Sequence, residues 1–237
     1  MNVFRLLGDS LHYAALLTLP AKIVVTGSSN GISIKAQILY LLVFITRYLD
    51  LFTNYFSFYN SFTKLFFIGI ATITTVLISL VFPSPDTRRL DTLWVSPLIL
   101  GPAMAALIWN YEMSIMEILW TFSIFLEAIV MLPQLRLSTK TKPDRIILIY
   151  LALMGSYRVF YCFNWIYHYH YEGSYDPISI VSGVVQSGIY LVFLVQNYDV
   201  IRRDLAMYRY MEEDRDNWKS GTDKEEVQVE KGEVSIT

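Results

Sequence analysis

Residues 115–135 read IMEILWTFSIFLEAIVMLPQL. As a helix this stretch is long enough to cross a hydrocarbon core of about 30 Å. It nevertheless holds two carboxylates, Glu117 and Glu127, and closes on Leu132-Pro133-Gln134. A charged side chain at the centre of a bilayer costs about 2.5–3.5 kcal/mol on insertion scales, so such groups face a bundle interior or a water-filled cavity rather than lipid. The stretch therefore points to a membrane protein whose spans enclose a polar site. Composition agrees: the 237 residues are 54% hydrophobic and only 17% charged, and the mean hydropathy is positive, too apolar for an ordinary soluble domain.

Working outward, further apolar stretches lie at about 2–22, 36–56, 62–82, 93–109, 146–167 and 178–197, each close to the roughly 20 residues a crossing helix needs. Seven spans are expected. Turn formers separate several of them, as in Gly27-Ser28-Ser29-Asn30-Gly31, Pro83-Ser84-Pro85-Asp86 and Lys142-Pro143-Asp144. The first stretch is interrupted by Arg5, Asp9 and His12 and lacks a small-residue cleavage site, so it reads as a retained span rather than a secretory signal.

Lys22, Lys35, Arg88, Arg89, Arg136, Lys140, Lys142 and Arg145 fall in or beside the first, third and fifth loops. The second, fourth and sixth have Lys64 just inside a span, together with Glu112, Glu172 and Asp176. By the positive-inside rule the N-terminus is lumenal and the C-terminus cytosolic.

An odd number of spans follows when two three-helix bundles of the same orientation are joined by one extra crossing. The stretch broken by Pro97 and Pro102 suits that linker. Three pairs support a parallel duplication: Pro20 and Pro133 are 113 apart, Arg47 and Arg158 are 111 apart, and Asn54 and Asn164 are 110 apart. The fold expected is all-α, with seven transmembrane helices in two parallel three-helix bundles and a linker helix. It occupies residues 1–200, and a charged cytosolic tail, largely disordered, occupies 201–237. From residue 198 onward there are 11 acidic and 7 basic residues, leaving 10 and 12 in the body, so the net charge of −2 combines an acidic tail with a slightly basic membrane domain. Cys162 is the only cysteine, which excludes an internal disulfide.

Arg5, His12, Arg47, Asp50, Glu117, Glu127, Arg158 and His168 all lie within or at the edge of apolar spans. With about 1.5 Å of rise per residue, all eight fall in the lumenal half or near mid-depth. A lumen-facing cavity with arginines from three helices suits a ligand carrying several carboxylates, which guanidinium binds bidentately. The alternative is that these charges only neutralise one another between helices. Tyr48 and Tyr157 adjoin the buried arginines and are candidates to line the cavity; Tyr55, Tyr59, Tyr161, Trp165, Tyr167 and Tyr169 also fit an interfacial aromatic belt. No metal-ligand spacing, nucleophile elbow or phosphate loop is present. No cofactor, metal or enzymatic activity is expected, and no basic surface suggests nucleic acid as a partner.

Four blocks carry a resemblance. They are Met1-Asn2-Val3-Phe4-Arg5-Leu6-Leu7-Gly8-Asp9; Thr46-Arg47-Tyr48-Leu49-Asp50-Leu51-Phe52-Thr53-Asn54-Tyr55; Glu117 to Ile124 with Glu127 and Leu132-Pro133-Gln134; and Tyr157-Arg158 followed by Tyr161 and Phe163-Asn164-Trp165-Ile166. Together they closely resemble the KDEL receptor family, also called ER lumen protein-retaining receptors, over about residues 1–195. The family is itself similar to PQ-loop and sugar-transporter (SWEET) folds.

The resemblance implies a receptor that cycles between Golgi and endoplasmic reticulum membranes. It would bind the C-terminal Lys/His-Asp-Glu-Leu signal of soluble ER proteins and return them through a retrograde, COPI-type coat. It assigns Arg5, Arg47 and Arg158 to the carboxylates of the signal, with Tyr48, Asp50, Asn54, Glu117, Tyr161 and His168 on the same surface. Glu127, Tyr157 and Trp165 would hold the first residue of the tetrapeptide by charge and cation–π contact. His12 would be the pH switch, its protonation in the mildly acidic Golgi favouring the bound state and release following by linkage at neutral pH.

Three departures stand out. His168 replaces a family arginine, for which steeper pH dependence or a shifted signal preference is expected. Val192 replaces an aspartate on the last helix. Arg202, Arg203 and a long tail replace a short lysine-bearing end that the coat reads. A small-solute transporter of the PQ-loop or SWEET class is the alternative function, and a G-protein-coupled type of receptor a third. The arginine set favours the peptide receptor, since a neutral sugar has no use for three guanidiniums.

Overall fold

A computed structural model describes residues 2–52, 58–173 and 175–233. Its elements are α1 (Val3–Thr26), α2 (Ile34–Arg47), a 3-10 turn (Leu49–Phe52), α3 (Phe58–Val76) running into a π-helical turn (Leu77–Val81), α4 (Pro85–Leu90), α5 (Val95–Ile108), α6 (Ile115–Ile129), α7 (Leu132–Lys140), α8 (Arg145–Glu172) and α9 (Pro177–Glu233). No strand occurs among the described residues.

Short polar side chains start these helices. Asn2, Ser33, Ser84, Ser114 and Asp144 each accept a bond from the backbone N–H three residues on, at Arg5, Ala36, Thr87, Glu117 and Ile147, supplying one of the donors a helix start leaves open. Gly27 and Gly173 follow the ends of α1 and α8 at φ 61 and 62, the left-handed conformation that stops a helix and favours glycine.

Proline sets the break between α6 and α7. In mid-helix, Pro133 would have no N–H to donate and its ring would press on the carbonyl of Ile129, so α6 ends there and α7 restarts with Pro133 in its first turn. The stretch around 36–56 also departs from one unbroken span. Its α-helix stops at Arg47, Tyr48 leaves the helical region at φ −108 and ψ 24, and a 3-10 turn follows.

Among the described residues, four helical segments are long and apolar enough to cross a membrane: Ser61–Val81, Ile115–Lys140, Arg145–Tyr171 and Pro177–Tyr198. The apolar α5 is shorter, with 14 residues. Large apolar side chains such as Val25, Leu80, Ile108 and Val195 are exposed, as suits helices facing lipid.

Contact grouping separates residues 1–193 from 194–237. Within the first unit, α1 packs chiefly on α8, α2 on α6 and α3, and α5 on α6. The buried core is built from Ala15, Leu19 and Ile23 of α1, Leu39, Val43 and Phe44 of α2, Leu126 of α6, and Ile147, Met154 and Tyr157 of α8. The second unit carries the continuation of α9 to Glu233.

At one end a polar layer locks the helix starts together. Gln134 of α7 is fully buried. It accepts from the Ser33 N–H at 2.8 Å and donates to the Gly31 carbonyl at 2.9 Å. Gly31 has φ 77, and a Cβ there would stand 2.7 Å from Ile147 Cδ1, so glycine is required on both counts. Lys22 is buried, donates to the Asn30 carbonyl at 2.8 Å and pairs with Asp144 at 3.2 Å. Lys35 donates to the carbonyls of Asp91 and Leu93.

Candidate functional site

In the middle of the first unit, three charged side chains from three helices meet. Arg47, the last residue of α2, donates from Nη1 to Glu127 Oε2 at 2.7 Å, and Arg158 of α8 brings Nη2 within 2.8 Å of the same oxygen. The other carboxylate oxygen, Oε1, accepts from the Tyr157 hydroxyl at 3.0 Å. Glu127 and Arg158 are 3% and 5% exposed, so the cluster is removed from bulk solvent. The local fold explains the meeting. The end of α2 at Arg47 points its side chain across to α6, where Ser123, one turn before Glu127, accepts from Arg47 Nε at 3.1 Å.

The charge does not balance. Before His12 is counted, two guanidiniums face one carboxylate, and among the described residues Arg47 and Arg158 have ion pairs with Glu127 alone. Nη2 of Arg47 is buried without a hydrogen-bond acceptor, while Nη2 of Arg158 has only the Glu127 oxygen that it shares with Arg47. A buried charge without its counterpart is costly. The arrangement is therefore one that an incoming carboxylate would complete, with charge-assisted bonds in a low-dielectric setting.

His12 of α1 lies against this cluster. Its ring stacks on Tyr157 with centroids 4.2 Å apart and planes within 5°, flanked by Phe67 and Phe44 at 5.1 and 6.0 Å. It is 6% exposed, and Nε2 has no hydrogen-bond partner. Trp165, two turns after Arg158, places its ring 5.9 Å from the Arg158 Cζ, within cation–π range. Its indole occupies the space left by Gly183 of α9, where any Cβ would collide with it.

Other residues expected at the site stand further out. Arg5 does not join Arg47 and Arg158. Its side chain is 57% exposed and faces Asp9 one turn on, at 4.0 Å. Asp9 in turn accepts from the Tyr161 hydroxyl, and the Tyr161 ring meets Tyr157 edge-on at 6.0 Å. Arg5 thus connects to the cluster only through an intervening carboxylate and phenol. Glu117 sits in the first turn of α6, hydrogen-bonded to Thr121 at 3.4 Å, nearly three helical turns from Glu127. Tyr48 stacks on Phe44, and the Lys64 ammonium stands 6.0 Å from its ring. His168 is half-buried and meets Tyr167 edge-on at 6.1 Å. Asn54 and the side chain of Asp50 lie outside the described residues. Arg202 and Arg203 are exposed on the continuation of α9, and Val192 is also exposed.

Three participants were not expected from sequence: Ser123, Asp9 and Gln186. Gln186 of α9 is 1% exposed, accepts from Arg158 Nε and donates from Nε2 to the Tyr157 hydroxyl at 3.2 Å. Each had a signal of the same kind. Ser123 lies one turn from Glu127, Asp9 lies one turn from Arg5, and Gln186 is one of several uncharged polar residues in the run 178–197.

The site can be set beside known proteins. The sequence profile of a family described as ER lumen protein retaining receptor matches residues 28–168. The chain is 45% identical over 194 residues to ER lumen protein-retaining receptor 2 of Xenopus tropicalis, covering 81% of this chain and 92% of that one. It is 43% identical to the ER lumen protein-retaining receptor of Drosophila melanogaster over the same shares. To ER lumen protein-retaining receptor erd-2.1 of Caenorhabditis elegans it is 42% identical, covering 81% and 91%.

Proposed function

The chain belongs to the ER lumen protein retaining receptor family, and from that premise we propose that it binds the C-terminal Lys/His-Asp-Glu-Leu-type signal of soluble ER proteins. It binds in the mildly acidic Golgi, releases at neutral pH and returns its cargo to the endoplasmic reticulum in retrograde vesicles. One observation carries this reading. Among the described residues, Arg47 and Arg158 share a single buried carboxylate, and Arg47 keeps an unsatisfied Nη2. A tetrapeptide ending in Asp-Glu-Leu brings three carboxylates, and a buried excess of guanidinium is what such a ligand would neutralise. A neutral solute would leave that excess in place, which disfavours a small-solute transporter.

Within this reading Arg47 and Arg158 take carboxylates deep in the site, while Arg5 with Asp9 and Tyr161 receives one nearer the entrance. Trp165 and Tyr157 hold the first residue of the signal, and Glu117, Tyr48, Asp50, Asn54 and His168 complete the entry surface. His12, stacked on Tyr157 beside two arginines, is the pH switch. Its protonation adds a positive charge next to an anionic ligand, so binding and proton uptake favour one another.

The membrane arrangement follows. Among the described residues four segments are long and apolar enough to span; α5 supplies a short crossing, and α1 and α2 supply the two whose charged residues the site uses. The reciprocal packing of α1 on α8 and α2 on α6 pairs first with second helices of the two halves in both directions, as a parallel duplication requires. Lys and Arg in the first, third and fifth loops orient the N-terminus to the lumen. Arg202 and Arg203 then stand on the cytosolic side, where a COPI-type coat would read them.

The test is equilibrium binding of labelled peptides ending in Lys-Asp-Glu-Leu and His-Asp-Glu-Leu to the purified full chain at pH 5.5 and 7.4. Tighter binding of at least one at pH 5.5 is expected. Absence of binding at both values would overturn the reading.

A further inference from the structure

The amide of Gln186 connects the two groups that hold Glu127, and its direction is not arbitrary. Arg158 Nε–H can only donate, so the amide oxygen of Gln186 must face it. The amide nitrogen is then turned to the Tyr157 oxygen, 3.2 Å away. Receiving that bond, Tyr157 has its own hydrogen left to give, and the ionised Glu127 Oε1 at 3.0 Å is an acceptor for it. A fixed donor on α8 thus sets an amide on α9, which sets a hydroxyl on α8, which sets a carboxylate on α6. Gln186 is 1% exposed, so water does not compete for either end.

We propose that Gln186 is a positioning residue of the peptide site: it fixes Tyr157 as the donor to Glu127 and holds the Arg158 guanidinium in place through Nε. The proposal rests on the reading of this cluster as the site for an anionic peptide end. Its physical content is preorganisation. With Nε engaged by Gln186 and one face by Glu127, the Arg158 plane is set before the ligand arrives, so less freedom is lost when a carboxylate binds. With Tyr157 committed to Glu127, that carboxylate has both oxygens occupied and is less able to swing and cap the vacant Nη2 of Arg47.

The expected consequence is coupling in ligand affinity between Gln186 and Tyr157, which a merely structural residue would not show. The experiment is a double-mutant cycle on the full chain with a labelled peptide ending in Lys-Asp-Glu-Leu at pH 5.5, using Gln186→Leu, Tyr157→Phe and the pair. Gln186→Leu should weaken binding about tenfold, and the pair should bind at least about threefold better than the product of the single losses predicts. Gln186→Glu provides a second cycle should Gln186→Leu not fold. It keeps the shape and an acceptor for Arg158, but it offers only acceptors, so Tyr157 is drawn away from Glu127 and affinity again falls. Single losses that multiply, in whichever cycle folds, overturn the role of Gln186 and leave the receptor reading standing. Should the parent chain bind no peptide, the receptor reading falls and this inference falls with it.

Discussion

Glu127 is the residue on which the site balances. It holds two guanidiniums and a phenol in a nearly water-free setting. Removing one partner of a buried charged group costs about 3–5 kcal/mol, because the remaining charge stays buried without compensation. Glu127→Gln should therefore lower the thermal unfolding temperature of the detergent-solubilised protein markedly, by far more than a surface Glu→Gln change such as Glu112→Gln. An unchanged melting temperature would mean that Arg47 and Arg158 find other acceptors. His12 acts at the same scale. Its ring lies flat on Tyr157, so His12→Phe keeps a stacked ring and removes the titrating group. The parent should bind peptide more tightly at pH 5.5 than at 7.4, since protonation adds a positive charge beside the anionic ligand. His12→Phe should bring the ratio of the two affinities to about one, as seen in peptide titrations at both pH values. A ratio that persists would place the switch elsewhere, His168 being the next group to examine.

At the scale of the element, α9 contributes by what it lacks as well as by Gln186. The absence of a side chain at Gly183 lets the Trp165 indole lie against the helix and beside Arg158. Overpacking a filled position costs about 1–3 kcal/mol. Gly183→Ala should accordingly weaken peptide binding and shift tryptophan fluorescence, while Gly188→Ala, which meets open space, should change neither. Equal behaviour of the two variants would show that Trp165 is not held by this contact.

Helix identity was readable from the sequence because apolar runs and Asn, Ser or Asp starts carry it locally. The end of α2 at Arg47 was not, since nothing within the run 36–56 distinguishes a helix from a 3-10 turn until Tyr48 leaves the helical region. Charges placed where lipid should be pointed to a polar interior, and left open whether Arg47, Glu127 and Arg158 would line a cavity or neutralise one another; in the structure they pair. The distance of Arg5 from them was not anticipated. Asp9, one turn away, engages its guanidinium and turns it toward the exposed edge of α1, a local pairing that depth along a span does not reveal. Gln186 and Ser123 escaped notice because uncharged polar residues carry little penalty in a span and so stand out less than charges.

At the largest scale, the first unit holds two polar layers separated by apolar core. One locks helix starts through Gln134, Lys22 and Asp144; the other is the charged cluster, in which Arg47 and Arg158 share Glu127 and Arg47 Nη2 is unsatisfied. The first layer has its donors and acceptors matched across α1, α2, α7 and α8, so it is the rigid end. The second is matched only in part, so it is where a ligand changes the balance of forces between helices. His168 is half-buried near the end of α8, ten residues beyond Arg158, and on the proposed function it belongs to the approach to the cluster. His168→Arg should replace a titratable group by a fixed positive one and flatten the pH dependence of peptide capture. An identical profile in parent and variant, from titrations across pH 5 to 8, would remove His168 from the recognition surface.

Peptide capture rests on whether the two guanidiniums that share Glu127 receive a peptide's terminal carboxylate. The direct measurement compares two peptides of identical sequence ending in Lys-Asp-Glu-Leu, one with a free C-terminal carboxylate and one amidated, in binding to the full chain at pH 5.5. A charge-assisted hydrogen bond contributes about 1.5–3 kcal/mol, so the free acid should bind at least about tenfold more tightly. Equal affinity of the two peptides would contradict the account.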